Sequence, residues 1–359
     1  MLKGNKGEWS EVYTLLKLIG DKVVYGGDHD LNQIPDLFYP ILKILRDDSA
    51  GQFNYSINDD LVFIDGAGVE EKIPIQEFHN FASLLLTKIK EAKGSSFRVA
   101  ELENFLSQIK CTSLRAKSTS KEDIRIIIHD QKTGMQPLLG FSIKSQLGGA
   151  STLLNAGKTT NFIYKITNAD LSKEQIEQIN TISTRSKVKD RLVEVKKNGG
   201  IIEFERIERE IFNNNLVLID SLLPQLMGEL LLDFYTSKRS SIKDLTDFIE
   251  KANPLRYNVS NQHKFYEYKI KKLMTESALG MMPSKVWSGT YNATGGYLIV
   301  KEDGAILSYH IYNKNEFEDY LFNNTKLETP STSKYDFAKI YEDGGEHFIK
   351  LNLQIRFKK

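Results

Sequence analysis

Two apolar runs flanking a short hydrophilic connection constrain this chain more than any other feature. The first is Asp123-Ile124-Arg125-Ile126-Ile127-Ile128-His129; the second lies within GFSIKSQLGG at residues 140–149. The connection, residues 130–136, contains Thr133-Gly134, so the pattern predicts a β-hairpin with glycine in the turn and branched residues in the strands. A turn centred near Thr133-Gly134 sets Asp123 opposite Lys144. Period-two alternation puts Ser142, Lys144 and Gln146 on one face, and Phe141, Ile143 and Leu147 on the other. A carboxylate and a lysine at one hairpin end suit phosphodiester hydrolysis. The acid can hold a divalent metal that polarises the phosphoryl oxygen and acidifies bound water, while the lysine orients the nucleophile or neutralises developing charge. An ordinary solvated cross-strand pair fits the same two residues, so the hairpin alone leaves both readings open.

With 359 residues the chain is long enough for one large domain or two ordinary ones. Lys and Arg number 48 against 47 Asp and Glu, so overall charge neither advertises nor excludes a nucleic-acid binder. A single cysteine, Cys111, rules out an intrachain disulfide and a multi-cysteine zinc cluster. No run has transmembrane length, and MLKGNKGEWSE is too polar for a secretory signal, which points to a cytoplasmic protein with no membrane partner.

Residues 4–19 read as an amphipathic helix with a stripe of Trp9, Val12, Tyr13, Leu16 and Ile19. Glu8 and Glu11 lie on its first turns. They either favour the helix N-terminus or, for Glu11, reach inward to join Asp123. Further helices are predicted at 76–92, 97–110, 169–180, across 220–250 in two pieces, and at 262–278; residues 117–121 read as a loop feeding Asp123. IIEFE (201–205) and NLVLID (215–220) read as strands or strand–helix junctions. His79 and His129 have no neighbours that complete a metal trio. Gly157-Lys158-Thr159 invites a nucleotide-binding reading, which fails because Thr152 stands where a P-loop needs its first glycine. Lys158, Thr159 and Asn161 instead become candidates for a phosphate backbone, or for a solvated loop. The window 184–197, with Arg185 and Lys187 at its start, holds six cations and two acids; it could follow nucleic acid or form a charged helix face.

The last hundred residues are richer in aromatics, Gly and Asn. They predict a hairpin from GGYLIV and AILSYHIY, a short helix at NEFEDYLFNN and a closing strand. In that strand Ile349, Leu351, Leu353, Ile355 and Phe357 share one face, and Lys350, Asn352, Gln354 and Arg356 the other. Such side chains could read base edges, or face solvent. The loop with Asn324, Lys326 and Thr329 offers further candidates. A boundary in the Pro/Asn-rich stretch 252–262 divides the chain into 1–255, a core with helical additions, and 256–359, a β-rich region proposed for DNA recognition.

GNKGEWSEVY, DIRI with GFSIKSQLGG, STLLNAGKTTNF, GMMPSKVWSG, GGYLIV, FEDYLFNNTKLETPSTS and LNLQIRF occur in order along almost the whole sequence, which therefore resembles the HpaII restriction endonuclease family. The resemblance implies an α/β fold of the PD-(D/E)xK type, a mixed central sheet flanked by helices, with an added antiparallel C-terminal β-rich region. It matches Asp123 to the first acid and Lys144 to the lysine of an acid-x-Lys triplet that here reads Ser142-Ile143-Lys144. Serine replaces an acid, so Glu11 is the expected supplier of the missing charge. Gln146 matches a glutamine common in the superfamily, and Glu122 stands where a proline usually precedes the acid. The implied function is type II restriction: cleavage of both DNA strands at CCGG with Mg²⁺ bound by Asp123 and Glu11. A companion methyltransferase would protect the host. Two rivals stay open: a non-cleaving sequence-specific DNA-binding protein, and a structure-specific repair nuclease. Cutting a palindrome suits a two-fold homodimer, although a monomer cutting sequentially serves as well.

Overall fold

The computed structural model describes residues 2–49, 51–115, 122–131 and 133–359; the expected loop at 117–121 lies outside them. The fold is mixed α/β. The chain forms two compact units, Met1–Ser151 with Tyr291–Tyr320 and Lys359, and Thr152–Thr290 with Leu321–Lys358. This division differs from a single break near residue 255, because the strands after residue 290 return to pair with the first half of the chain.

Numbered along the chain, the strands of the first unit are β1 (Val23–Gly27), β2 (Gln33–Asp48), β3 (Gly51–Asn58), β4 (Leu61–Gly66), β5 (Val69–Pro74), β6 (Ile124–Ile128), β7 (Leu138–Ser145), β11 (Gly296–Val300) and β12 (Ile306–His310). They form one mixed sheet in the order β1-β12-β11-β7-β6-β2-β3-β4-β5. The pairs β7–β11 and β1–β12 are parallel, and β6–β7 is antiparallel. Two helices, α1 (Lys6–Asp21) and α2 (Ile75–Glu91), pack together. Helix α1 starts with a reciprocal capping box: Glu8 N–H donates to Asn5 Oδ1 (3.0 Å) and Asn5 N–H to Glu8 Oε2 (2.6 Å). Its predicted stripe is fully buried, together with Leu15 and Leu18. Helix α2 buries Ile75, Phe78, Ala82, Leu85 and Ile89, the spacing of one helix face. The remaining helix before β6 is short, α3 (Glu103–Gln108).

The hairpin forms, but its register is two residues from the expected one: Ile124 faces Phe141, which sets Asp123 beside Ser142 rather than Lys144. Asp130 N–H donates to the Met135 carbonyl (2.9 Å) and Gly134 N–H to the Asp130 carbonyl (2.7 Å), so the turn closes earlier than a Thr133-Gly134 centre would place it. A shift of two preserves the faces of a period-two strand, and the grouping of Ser142 with Lys144 survives.

His310, at the end of β12, is buried against Tyr39, Phe141 and Tyr312; its Nδ1 accepts from Tyr312 N–H (2.9 Å). Burial pushes its pKa down to about 4, against an opposing pull from Asp130. Below the ordinary imidazole value near 6.5 the unfolded chain binds a proton that the folded chain refuses. The stability present above pH 6.5 is therefore lost as pH falls toward 4, by roughly 3 kcal/mol. Urea midpoints between pH 7.5 and 4.5 should show this loss, and His310→Asn should flatten that window.

In the second unit β8 (Thr152–Leu154), β9 (Asn161–Thr167), β10 (Ile201–Ile207), β13 (Thr325–Leu327), β14 (Ile340–Asp343), β15 (Glu346–Asn352) and β16 (Ile355–Phe357) make two small antiparallel sheets, β10-β9-β15-β14 and β13-β16-β8. Around them run α4 (Lys173–Thr181), α5 (Lys187–Lys197), α6 (Glu210–Ile219), α7 (Leu223–Thr236), α8 (Ile242–Ala252), α9 (Phe265–Leu279) and α11 (Thr332–Tyr335); α10 (Lys314–Asn323) leads out of the first unit. Residues 215–219, read as strand-like, end α6, where Phe212 and Leu216 are buried one turn apart. The C-terminal strands do not form one added sheet. The closing segment splits into β15 and β16, which join different sheets, although its alternating apolar face is buried as expected.

Its polar face is partly internal. Asn352 is fully buried; its Nδ2 donates to the Gly157 carbonyl (2.7 Å) and to Asn161 Oδ1 (2.6 Å). Asn352→Ala removes the donor to buried Asn161 Oδ1 and one of the donors to the Gly157 carbonyl, and an expected loss of about 2 kcal/mol would appear as a lower urea midpoint with unchanged slope. Among the described residues no single helix is long and apolar enough to cross a membrane.

Candidate active site

Strand β6 ends short of β7 at its Asp123 end, and a carboxylate completes the ladder. Asp123 N–H donates to the Phe141 carbonyl (2.8 Å), and Asp123 Oδ2 accepts from Ile143 N–H (2.7 Å). The peptide of Ile143, which would lack a strand partner, is thus satisfied by the side chain, and the acid is fixed at the strand edge. The Ser142 hydroxyl donates to the same Asp123 oxygen (3.2 Å) and accepts from Lys144 Nζ (2.8 Å). Serine in the triplet therefore bridges the acid and the lysine.

Lys144 lies 4.9 Å from the ring centre of Tyr297 on β11, a cation–π contact made by the parallel β7–β11 pairing. Burial pushes its ammonium pKa down, while the charges of Asp123 and Glu11 pull it up; the net direction is down. Burial also raises the Tyr297 phenol well above its ordinary value, and the Asp123 charge adds to this. Glu11 is brought to the site by α1, whose preceding residue Ser10 meets Ser145 Oγ at 2.8 Å. The field of Glu11 acts on Lys144 and also on buried Arg46. Gln146 follows β7 directly, its N–H donating to the Val300 carbonyl (2.8 Å).

The position expected to hold proline is held by Glu122, whose pKa burial raises despite the nearby Arg125. Its carboxylate occupies the space beside Gly140, where a Cβ would meet Glu122 Oε2 at 1.8 Å. Among the described residues no group of three or more His, Cys, Asp or Glu is arranged to hold a metal ion. The two residues that the sequence leads one to expect as metal ligands, Asp123 and Glu11, are both carboxylates. That composition fits a hard cation such as Mg²⁺, which takes one or two protein carboxylates and keeps several waters.

The DNA-contact candidates fall apart into groups, all in the second unit. Asn161 is fully buried, donating to Glu208 Oε2 (2.8 Å) and the Tyr335 carbonyl (3.0 Å), and is removed from the surface candidates. Lys158 is exposed and Thr159 half-buried on a single 3₁₀ turn. Arg356 pairs with Glu328 at 2.7 Å and faces Lys326 across β13–β16. The Gln354 carbonyl accepts from Glu328 N–H (3.3 Å), and that of Asn324 from Lys358 N–H (2.7 Å). Arg185, Lys187 and Thr329 line one cavity. Tyr297 is the site residue the linear reading misses: its strand is legible, but the parallel partner of that strand is not.

The model of the HpaII restriction endonuclease family matches residues 5–357. The chain is 48% identical over 357 residues to the type II restriction enzyme HpaII of Haemophilus parainfluenzae, covering 99% of this chain and 98% of that one. No solved structure matches it. Matched by the family model over nearly its whole length, and 48% identical to one of that family's enzymes over 99% of its residues, the chain belongs to the HpaII restriction endonuclease family.

Proposed function

We propose that this protein hydrolyses one phosphodiester in each strand of duplex DNA at CCGG, at a PD-(D/E)xK-type site of Asp123, Glu11, Ser142, Lys144 and Gln146. Membership in the family makes it a type II restriction endonuclease. The target sequence comes from the family resemblance, and the site assignment from the hairpin. The observation that most supports the site is the Ser142 hydroxyl spanning Asp123 Oδ2 and Lys144 Nζ.

Asp123 and Glu11 are the residues that would hold Mg²⁺, which when bound polarises the phosphoryl oxygen and acidifies water. Asp123 is held in place by Ile143 N–H and Ser142, so it needs no reorganisation as substrate arrives. Lys144, enclosed over Tyr297, is placed to orient the attacking water and to offset charge on the phosphate. Water attacks phosphorus, the P–O3′ bond breaks, and the departing 3′-oxygen takes a proton, leaving a 5′-phosphate. Gln146 tunes the orientation of this water.

In the second unit Lys158, Thr159, Lys326, Thr329, Gln354 and Arg356 are the proposed DNA contacts. The Arg356–Glu328 pair is partly exposed, and such pairs contribute little, so Arg356 is able to exchange its partner for a base edge. A two-fold homodimer, a cytoplasmic location and a protecting methyltransferase complete the reading. Digesting plasmid with and without Mg²⁺ and sequencing the ends tests it: fragments ending at CCGG are expected. Retarded but intact DNA would identify a binder instead, and cuts at branches or lesions a repair nuclease.

A further inference from the structure

We propose that a basic, hydroxyl-lined cavity of the second unit grips the sugar–phosphate backbone of duplex DNA without reading its bases; this rests on the nuclease reading above. The cavity encloses about 500 Å³ between residues 185–189 at the start of α5, 234–240 at the end of α7, and the 329–333 turn. Arg185, Lys187, Lys189, Lys238 and Arg239 line it, and no Asp or Glu does. In a chain with 48 cations against 47 anions this is a local concentration of one sign, which draws in a polyanion.

Two of the five cations are already engaged. Arg239 is held by both oxygens of Asp233 (2.8 and 2.5 Å), and Lys189 donates to the Ser237 carbonyl (3.2 Å). Arg185, Lys187 and Lys238 make no ion pair among the described residues. Hydroxyls of Ser240, Thr329 and Thr332 stand among them. The cavity also receives the beginning of α5, where Lys187 N–H donates to the Thr184 carbonyl (3.2 Å) and the N-cap residue Ser186 makes no side-chain capping bond, which leaves the amides of Val188 and Lys189 in this eleven-residue helix without a side-chain cap. Lysines, hydroxyls and a helix N-terminus are the groups that hold phosphate and sugar, where they fix position and carry no sequence information.

Fluorescence anisotropy in metal-free buffer, across a range of salt, tests this on the full chain with a CCGG duplex and a scrambled duplex. The double variant Lys187→Ala/Lys238→Ala should weaken binding to both duplexes by the same factor. It should also lower the slope of log K against log salt by about 1.8, at ~0.9 for each phosphate no longer neutralised. Lys187→Arg/Lys238→Arg should keep the wild-type slope. An unchanged slope in the alanine pair, or a weakening confined to the CCGG duplex, overturns the proposal. Inorganic phosphate titrated at constant ionic strength separates the two sources of the anion. Phosphate competition abolished in the alanine pair, with duplex affinity intact, would assign the cavity to free phosphate and overturn it too. Because binding is read without metal, failure of the wild type to cut CCGG would sink the nuclease reading alone, while these slopes still judge the cavity.

Discussion

Asp123→Ala and Lys144→Ala should each lower cleavage of a CCGG plasmid by about 10³-fold or more, a loss of ~4 kcal/mol of transition-state stabilisation. Both should bind the CCGG duplex nearly as tightly as the wild type. The two substitutions act on different parts of one cluster. Removing the Asp123 carboxylate takes away a proposed metal ligand and leaves the Ile143 N–H without its acceptor. Removing the Lys144 ammonium empties the space over Tyr297 and frees the Ser142 hydroxyl. Because both residues belong to one hydrogen-bonded unit, the double variant should cost little more than either single one. Single-turnover cleavage beside a duplex-binding measurement decides: normal cutting by both variants would rule this site out.

Trp9→Ala should destabilise the protein by about 3–5 kcal/mol, a large share of the 5–15 kcal/mol that typically separates folded from unfolded chains. The indole is fully buried, stacks on Phe97 at 5.8 Å between ring centres, and donates Nε1–H to the Phe97 carbonyl (3.2 Å). Truncation therefore opens a cavity and removes one of the two donors to the Phe97 carbonyl, which keeps Gly4 N–H (3.1 Å). Trp9 is two residues before Glu11 on α1, so cleavage should fail at temperatures where far-UV ellipticity has barely changed. Urea midpoints set beside cleavage rates at several temperatures would show whether the two losses separate. A Trp9→Ala protein with an unchanged midpoint would contradict the packing described.

Local patterns made much of this legible. The stripe on α1 follows from helical period, and the grouping of Ser142 with Lys144 follows from strand period; both survive small errors of boundary or register. What escaped was non-local. The segment with Tyr297 reads clearly as half of a hairpin, yet nothing in it says that it lies parallel to β7, some 150 residues earlier. Residues 215–220 read as a strand or a strand–helix junction because a short apolar run has no period, and the buried positions of α6 begin before it. Asn161 and Asn352 read as surface groups because polar residues usually are. Here they satisfy each other and the loop at Gly157 inside the second unit. The exchange of Ser for an acid at Ser142 was visible at once, but its role as a bridge required the register.

The parallel pairing of β7 with β11 also sets an order of events during synthesis. Asp123 and Lys144 leave the ribosome long before Tyr297, and β7 has one unsatisfied edge until residues 296–300 arrive. Pairings of such long sequence separation form late and slowly. A nascent or prematurely terminated chain thus has its acid and its lysine but not the ring over which Lys144 lies.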